Sequence, residues 1–285
     1  MSSLSNRAIL VDLDISQWSA RKLDKRETDE VLLRNGASRR AARVNKSLLP
    51  GAQSLEAVMK KATEIRTWFY ERTLPWSGSA RILRSDAYFD FVQELNSHVA
   101  AYEQRVDDFV RDYPHLVAYA QAELGSLYDP ADYPPADVVR DKFRVESRFM
   151  PVPAADDWRV SLSDEALQQL RESIEKDVKR SAERAMREAW DRLYKCVSHA
   201  VDRLSDPENI FRDSLVKNAE ELCRILPSLN ITGDPELEAR RQELEEALCG
   251  VSPKDLRKFK DVREETAAKL REIQNKMSGL YGMAA

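Results

Sequence analysis

Apolar and small side chains recur through one long stretch at Leu167, Leu170, Ile174, Val178, Ala182, Ala185, Ala189, Leu193, Val197, Ala200 and Leu204. The mean step is about 3.7 residues, the repeat of an α-helix with one face covered. The stretch opens at Ser163 with Asp164 and Glu165 and meets no proline or glycine before Asp206-Pro207. At about 1.5 Å per residue it predicts a rod roughly 60 Å long, longer than most globular helices. The stripe does not keep a strict heptad, so it reads as the central strut of a monomeric core rather than as a coiled-coil seam. The stripe leaves the oligomeric state open, because such a face can be buried within a chain or between chains. Ala182, Ala185 and Ala189 mark a waist where another helix can approach closely.

The same periodicity predicts further helices. Ser54 to Arg72 carries Leu55, Val58, Met59, Ala62, Ile65, Trp68 and Phe69 on one face, and ends at Thr73-Leu74-Pro75-Trp76-Ser77-Gly78. A second long helix is expected from an N-cap at Ser85, with its stripe at Tyr88, Phe91, Leu95, Val99, Tyr102, Val106 and Phe109. It should kink or break at Pro114 and resume to Leu124-Gly125. This helix is expected to lie antiparallel to the 163–204 rod. Three shorter helices each begin with a cap residue followed by proline, at Asp206-Pro207, Asp234-Pro235 and Ser252-Pro253. They are read as about 207–226, 235–249 and 253–278.

Alternation with period two appears in two places. Ile9, Val11, Leu13 and Ile15 predict a short N-terminal strand, and Phe143, Val145, Phe149, then Trp158, Val160 and Leu162, predict a β-hairpin at about 142–162. The fold class expected is mainly α: an elongated helical bundle with two long antiparallel helices, a small β-hairpin insertion between them and a short N-terminal strand. Two regions are expected, an N-terminal arm over 1–52 with the strand and a basic segment, and a helical bundle over 53–285 that includes the hairpin.

Composition supports the long-helix reading: of 285 residues 33% are charged and only 8 are glycine. No apolar run reaches the ~18 residues of a membrane span, and the N-terminus lacks a signal-peptide core, so a cytoplasmic chain is expected. The predicted hairpin holds Lys142, Arg144, Glu146 and Arg148 and is too charged to enter lipid. Cys196, Cys223 and Cys249 are widely spaced within helical patterns and read as free, buried small hydrophobes.

Candidate chemistry is sparse. Asp12 and Asp14 after an apolar strand resemble the Asp-x-Asp site of haloacid-dehalogenase-type phosphotransferases, but that fold alternates β and α elements, so a polar-faced edge strand is the simpler reading. Asp156-Asp157 sits in a Pro-rich turn. His98, His115 and His199 have no metal-binding spacing, although His98 and His199 would meet if the two long helices paired. There is no phosphate-binding glycine loop. The five tryptophans read as core anchors. No catalytic, cofactor-binding or metal residue is assigned, and no cofactor is expected. The one charge anomaly is Arg34 to Lys46, with Arg34, Arg39, Arg40, Arg43 and Lys46 and no acidic residue. Arginines so clustered lie well along phosphates or against an acidic protein surface. Arg144, Arg148 and Arg159 on the predicted hairpin would extend such a patch.

Several short runs carry a resemblance: Leu13 to Lys22, Val44-Asn45-Lys46-Ser47-Leu48-Leu49-Pro50-Gly51, Thr73-Leu74-Pro75-Trp76, Pro151-Val152-Pro153 before Trp158-Arg159-Val160, Phe211-Arg212-Asp213-Ser214-Leu215, and Leu226-Pro227-Ser228-Leu229-Asn230-Ile231. In these the chain resembles a helical family of unknown function from tailed phages and bacterial genomes, often encoded near a cobaltochelatase-type AAA+ ATPase subunit. The resemblance spans essentially the whole chain and brings no catalytic residues. It implies a phage protein working in the host cytoplasm with a ring ATPase. The expected function is therefore a non-enzymatic phage interaction protein, an adaptor or partner of an AAA+ ATPase or of a host protein such as a defence component. The alternative is nucleic-acid binding in phage replication, recombination or DNA-end protection.

Overall fold

The computed structural model describes residues 4–154, 163–206 and 208–281. In chain order the elements are β1 (Ala8–Ser16), β2 (Arg21–Leu23), α1 (Lys25–Arg34), β3 (Asn45–Ser47), α2 (Gln53–Arg72), β4 (Leu74–Ser77), β5 (Ala80–Arg84) and α3 (Tyr88–Leu124). They continue with α4 (Ala136–Arg140), β6 (Arg144–Pro151), α5 (Asp164–Ser205), α6 (Ser214–Leu229), α7 (Pro235–Leu248), α8 (Pro253–Lys258) and α9 (Lys260–Tyr281). The chain is mainly helical, with a small antiparallel sheet. It forms two compact units that do not follow a division at residue 52. Unit one is 1–12, 70–91 and 148–285, and unit two is 13–69 and 92–147. The expected N-terminal arm is thus split between them.

Unit one is built around α5. Ser163 accepts a hydrogen bond from the Ala166 amide and caps the helix as expected. Ala185, Ala189, Leu193, Val197, Ala200 and Leu204 are all buried, so the apolar stripe predicts the covered face correctly over its C-terminal half. That face is covered by α9, packed along α5 in the opposite direction, together with β4 and α6. The direction is set by two contacts: Arg263 donates to Leu204 O, and Gln274 to Ser198 Oγ. Leu270, Ile273 and Met277 of α9 join this core with Leu226, Leu229, Leu237 and Leu244 of α6 and α7.

Arg263 is 7% exposed, and its guanidinium donates to the carbonyls of Arg203, Leu204, Asp206 and Asn209. Carbonyls at a helix C-terminus have no partner within the helix; here the buried arginine serves those of Arg203 and Leu204, and Asn209 Nδ2 donates to Asp202 O. At α7, Asp234 accepts from the Glu236 and Leu237 amides and also from Trp190 Nε1 at 3.0 Å, which ties the cap to α5.

Three of the expected C-terminal helix bounds shift. Asp206 closes a turn by accepting from Glu208 N, and α6 begins only at Ser214. Pro227 does not stop α6 but lies in its last turn. The 253–278 helix is broken at Phe259, whose backbone is extended, into α8 and α9. Proline at the first helical position is a sound marker at Pro235 and Pro253, where a side-chain cap accompanies it.

The sheet has the order β4-β5-β1-β6. β4 and β5 form a tight antiparallel hairpin, Ser77 facing Ala80, with Gly78 at φ 58 in the first turn position, where a side chain would be strained. This hairpin occupies the segment expected only to end a helix. β1 pairs antiparallel with β5, Ala8 opposite Arg84 and Val11 opposite Arg81. It is therefore an interior strand, not the edge strand expected. β6 supplies the first arm of the hairpin expected at 142–162, but its neighbour in the sheet is β1. The second arm, with Trp158, lies outside the described residues, as do Asp156-Asp157 and Arg159.

In unit two, α3 packs against α2. Ser54 Oγ donates to Asp112 at 2.7 Å, Lys61 Nζ lies 3.1 Å from His98 Nδ1, and Trp68 Nε1 donates to Glu94 at 2.8 Å. The order of those pairs makes the two helices antiparallel. The long helix hairpin is thus α2 with α3, and the expected pairing of 85–124 with 163–204 is not the arrangement that fills either core. Leu55, Val58, Ala62 and Ile65 of α2 and Leu95, Tyr102, Val106 and Phe109 of α3 are buried. α3 runs through Pro114 without interruption. Tyr113 holds the turn there: it is buried, donates to Pro134 O at 3.0 Å, and has Trp18 and Phe109 rings edge-on at 6.0 Å.

Candidate functional site

The basic segment lies in unit two, and its geometry begins at Asp24. This residue is the N-cap of α1, accepting from the Glu27 amide at 3.1 Å. Its backbone N–H donates to Val44 O at 2.9 Å, and Thr28 Oγ1 accepts from Val44 N at 3.0 Å. The far end of the segment is thus tied to the first turn of α1. Between them α1 ends at Arg34, the Asn35 side-chain nitrogen donates to Val31 O, and Gly36 turns the chain at φ 58. From Ala37 to Val44 the chain forms a loop, braced by Ala37 N to Leu32 O and Ala41 N to Ser38 O. β3 then pairs with β2, Arg21 opposite Ser47 and Leu23 opposite Asn45.

Arg34, Arg39, Arg40 and Arg43 are all exposed, and the segment carries them on one helix end and one closed loop. Residues 21–46 hold nine Lys or Arg against four Asp or Glu, in a chain whose net charge is −4. A loop with no carboxylate between its arginines keeps their donors available to an outside anion. Lys46 is different in kind. Its ammonium lies 2.8 Å from Asp132 Oδ2 and 3.6 Å from Asp24 Oδ2, and donates to Leu127 O at 2.6 Å. Its side chain is 9% exposed and that of Asp132 is 2% exposed. Lys22 reaches the same carboxylate from β2. Lys46 is thus the anchor of the segment rather than part of its contact surface.

The anchor perturbs the titration of its members. The hydrogen bond to Asp132 raises the Lys46 ammonium above its usual value against the opposing effect of burial. Burial alone would raise Asp132, but the donors of Lys22 and Lys46 outweigh it and hold the carboxyl below its ordinary range. Tyr133 Oη donates to Leu48 O at 2.9 Å, and burial pushes its phenol up to about 12. The short connection 125–135 is in this way bolted to the ribbon that carries the arginines.

The other candidate residues fall elsewhere. Asp12 is paired with Arg148 at 3.9 Å, Asp14 is exposed, and the strand that bears them belongs to an antiparallel sheet, so the phosphotransferase resemblance has no matching fold. Arg144 is paired with Glu146 at 3.3 Å. His98 is occupied by Lys61 and lies 4.9 Å from the Trp68 ring, while His115 and His199 are exposed. Trp18, Trp68, Trp76 and Trp190 pack or hydrogen-bond within their units, as core anchors should. Among the described residues no group of three or more His, Cys, Asp or Glu could hold a metal ion. Also among them, no helix is long and apolar enough to cross a membrane. An open groove of about 530 Å³ runs between α2 and α3 past Lys60, Lys61, Glu64 and Arg105, with charges of both signs.

Two arrangements have no signal in the sequence. The Lys46–Asp132 anchor joins residues 86 apart in the chain with no shared motif. The cysteines, spread over three helical patterns, converge: Cys249 Sγ lies 3.8 Å from Cys223 Sγ. Comparison of the chain with protein-family models, with curated proteins and with solved structures returns no match.

Proposed function

We propose that the chain is a non-enzymatic interaction protein, an adaptor that engages a protein partner through the arginine loop of unit two. The observation that carries this reading is the loop itself: Arg34, Arg39, Arg40 and Arg43 are exposed with no acidic residue among them, on a segment fixed at its base by a nearly buried ion pair. Fixing the base lowers the ordering cost of binding, since less of the loop must be immobilised in the complex. Three arginines on one closed loop, with Arg34 at the adjoining end of α1, complement an acidic protein surface, and rim charges of this kind set association rate and partner choice. The resemblance to a phage family encoded beside an AAA+ ATPase suggests the partner class: a ring ATPase, or a host protein in the infected cytoplasm. Affinity capture from cells producing the partner tests this. The wild-type chain should retain an ATPase or host protein, and Arg39→Ala/Arg40→Ala/Arg43→Ala should lose it. Equal capture by both chains counts against the loop, and no specific capture by either counts against the adaptor.

One feature favours a second reading, nucleic-acid binding. Guanidinium forks suit phosphate oxygens as well as carboxylates, and the 21–46 segment is strongly cationic within an acidic chain. A mobility-shift titration against single- and double-stranded DNA at low and moderate salt separates the two. Absence of a shift at low salt removes this reading. A salt-sensitive shift lost in the triple variant replaces the first with it.

A further inference from the structure

Two thiols of unit one meet across a helix–helix contact. Cys223 lies in α6 and is 2% exposed, while Cys249 is the C-cap of α7 and is only half-buried. Their sulfurs are 3.8 Å apart. Closing that gap to the ~2.05 Å of a disulfide takes side-chain rotation and a small backbone adjustment. Cys249 is the C-cap of α7, its N–H donating to Glu245 O, and Gly250 follows it with open space around its Cα, so the chain leaves the helix at this thiol.

The thiols are not equivalent. The hydrogen bond with Cys249, then burial, pushes the Cys223 thiol far up. The Cys249 S–H donates to the Cys223 sulfur at 3.8 Å, and the Cys223 S–H donates to Arg241 O at 3.8 Å. The hydrogen bond shared with Cys223 holds the Cys249 thiol below its ordinary value, although burial, Glu220 and Glu245 oppose it and Arg241 assists. Cys196 of α5 is pushed up to about 12 by burial, with Cys249 adding to the shift. Of the two thiols in contact, Cys249 is therefore the more exposed and the one that ionises first.

We infer that Cys249 and Cys223 form a reversible oxidation site in which a hydroperoxide is the oxidant, Cys249 attacks, Cys223 resolves, and the product is a disulfide joining α6 to α7. The Cys249 thiolate takes one peroxide oxygen, the O–O bond breaks, and hydroxide leaves with the proton Cys249 gave up, as water. Cys249 is then a sulfenic acid. The Cys223 sulfur attacks the Cys249 sulfur, the S–O bond breaks, and the departing hydroxide takes the Cys223 proton as a second water. Two thiols and one hydrogen peroxide thus give one disulfide and two waters. An external dithiol reverses the reaction by exchange. The link closes the loop 223–249, which spans all of α7, and so staples α7 to α6 against local opening.

The test uses the full chain. It is treated with hydrogen peroxide under native conditions, its remaining thiols are blocked with a maleimide, and it is read by intact mass and peptide mapping. The expected result is loss of two hydrogens, one peptide pair linked through Cys223 and Cys249, reversal by dithiothreitol, and a thermal midpoint raised by several degrees. The link persists in Cys196→Ser and is absent in Cys249→Ser and Cys223→Ser. Should Cys223→Ser fail to fold, Cys249→Ser, altered at a half-buried position, decides the matter. A sulfinic acid at Cys249 with Cys223 still free, a Cys196–Cys249 link, or no reaction until the chain is denatured each overturns it.

Discussion

Asp132 is the residue on which the order of the basic segment depends. Its carboxylate is 2% exposed and meets two ammonium groups, Lys22 from β2 and Lys46 from β3. Removing the Asp132 charge leaves the nearly buried Lys46 ammonium with only the Asp24 carboxylate at 3.6 Å, so Asp132→Asn should destabilise unit two by about 3 kcal/mol in urea unfolding. The Asp132 carboxyl is lowered in the folded chain, so its contribution is complete above the unfolded value and is lost as pH falls from about 4 through the lower folded value. Lys46 is raised, so its contribution is complete below the unfolded ammonium value and is lost as pH rises through the higher folded one. Asp132→Asn should flatten both limbs of the stability profile, and an unchanged profile would show that the pair contributes nothing. In unit one Arg263 has the corresponding place. Arg263→Met leaves the carbonyls of Arg203, Leu204, Asp206 and Asn209 short of donors. A loss of about 3 kcal/mol is expected in denaturant unfolding, with fast amide exchange at the end of α5. A loss below about 1 kcal/mol would mean that water serves those carbonyls equally well.

At the scale of elements, periodicity shows which faces are covered but not by which neighbour. The α5 stripe and the α3 stripe are both buried over much of their length, and they resemble two halves of one seam. Yet α5 is covered by α9 and β4, and α3 by α2. Nothing in a 3.6-residue repeat distinguishes one apolar partner from another. The β4–β5 hairpin escapes the sequence for a related reason. Thr73 to Gly78 carries a proline and a glycine, which announce a turn whether or not strands flank it. Caps are legible because they are local: Ser163, Asp234 and Ser252 each accept the amides expected of them. The break expected at Pro114 does not occur, because a helix can continue through proline when packing on both sides holds it, as buried Phe109 and Tyr113 before it and buried Ala120 after it do here. The carbonyl four residues earlier still lacks an intrahelical donor. Pro114→Ala, at an exposed position, should therefore stabilise unit two by about 1 kcal/mol or more in thermal or urea unfolding. A loss of stability would mean that the ring itself is part of the packing.

At the scale of the whole molecule, the chain forms two compact units. Unit one, with α5, α9 and the β4–β5 hairpin, holds a buried cluster built on α5 and the thiol pair. Unit two carries the arginine loop on a ribbon anchored by Lys46 and Asp132. The sequence makes the arginines visible as a charge anomaly, and four of the five basic residues singled out are exposed. It does not distinguish Lys46 from them, because the carboxylate that claims Lys46 comes from residue 132. An adaptor role is tested most directly by capture of the partner from producing cells with the wild-type chain and with Arg39→Ala/Arg40→Ala/Arg43→Ala, the circular dichroism of both being checked first. An adaptor acting through this loop predicts an unchanged fold, an ATPase or host protein retained by the wild type in a salt-sensitive way, and at least a tenfold loss in the variant, about 1.4 kcal/mol of binding. Undiminished capture by the variant would contradict it.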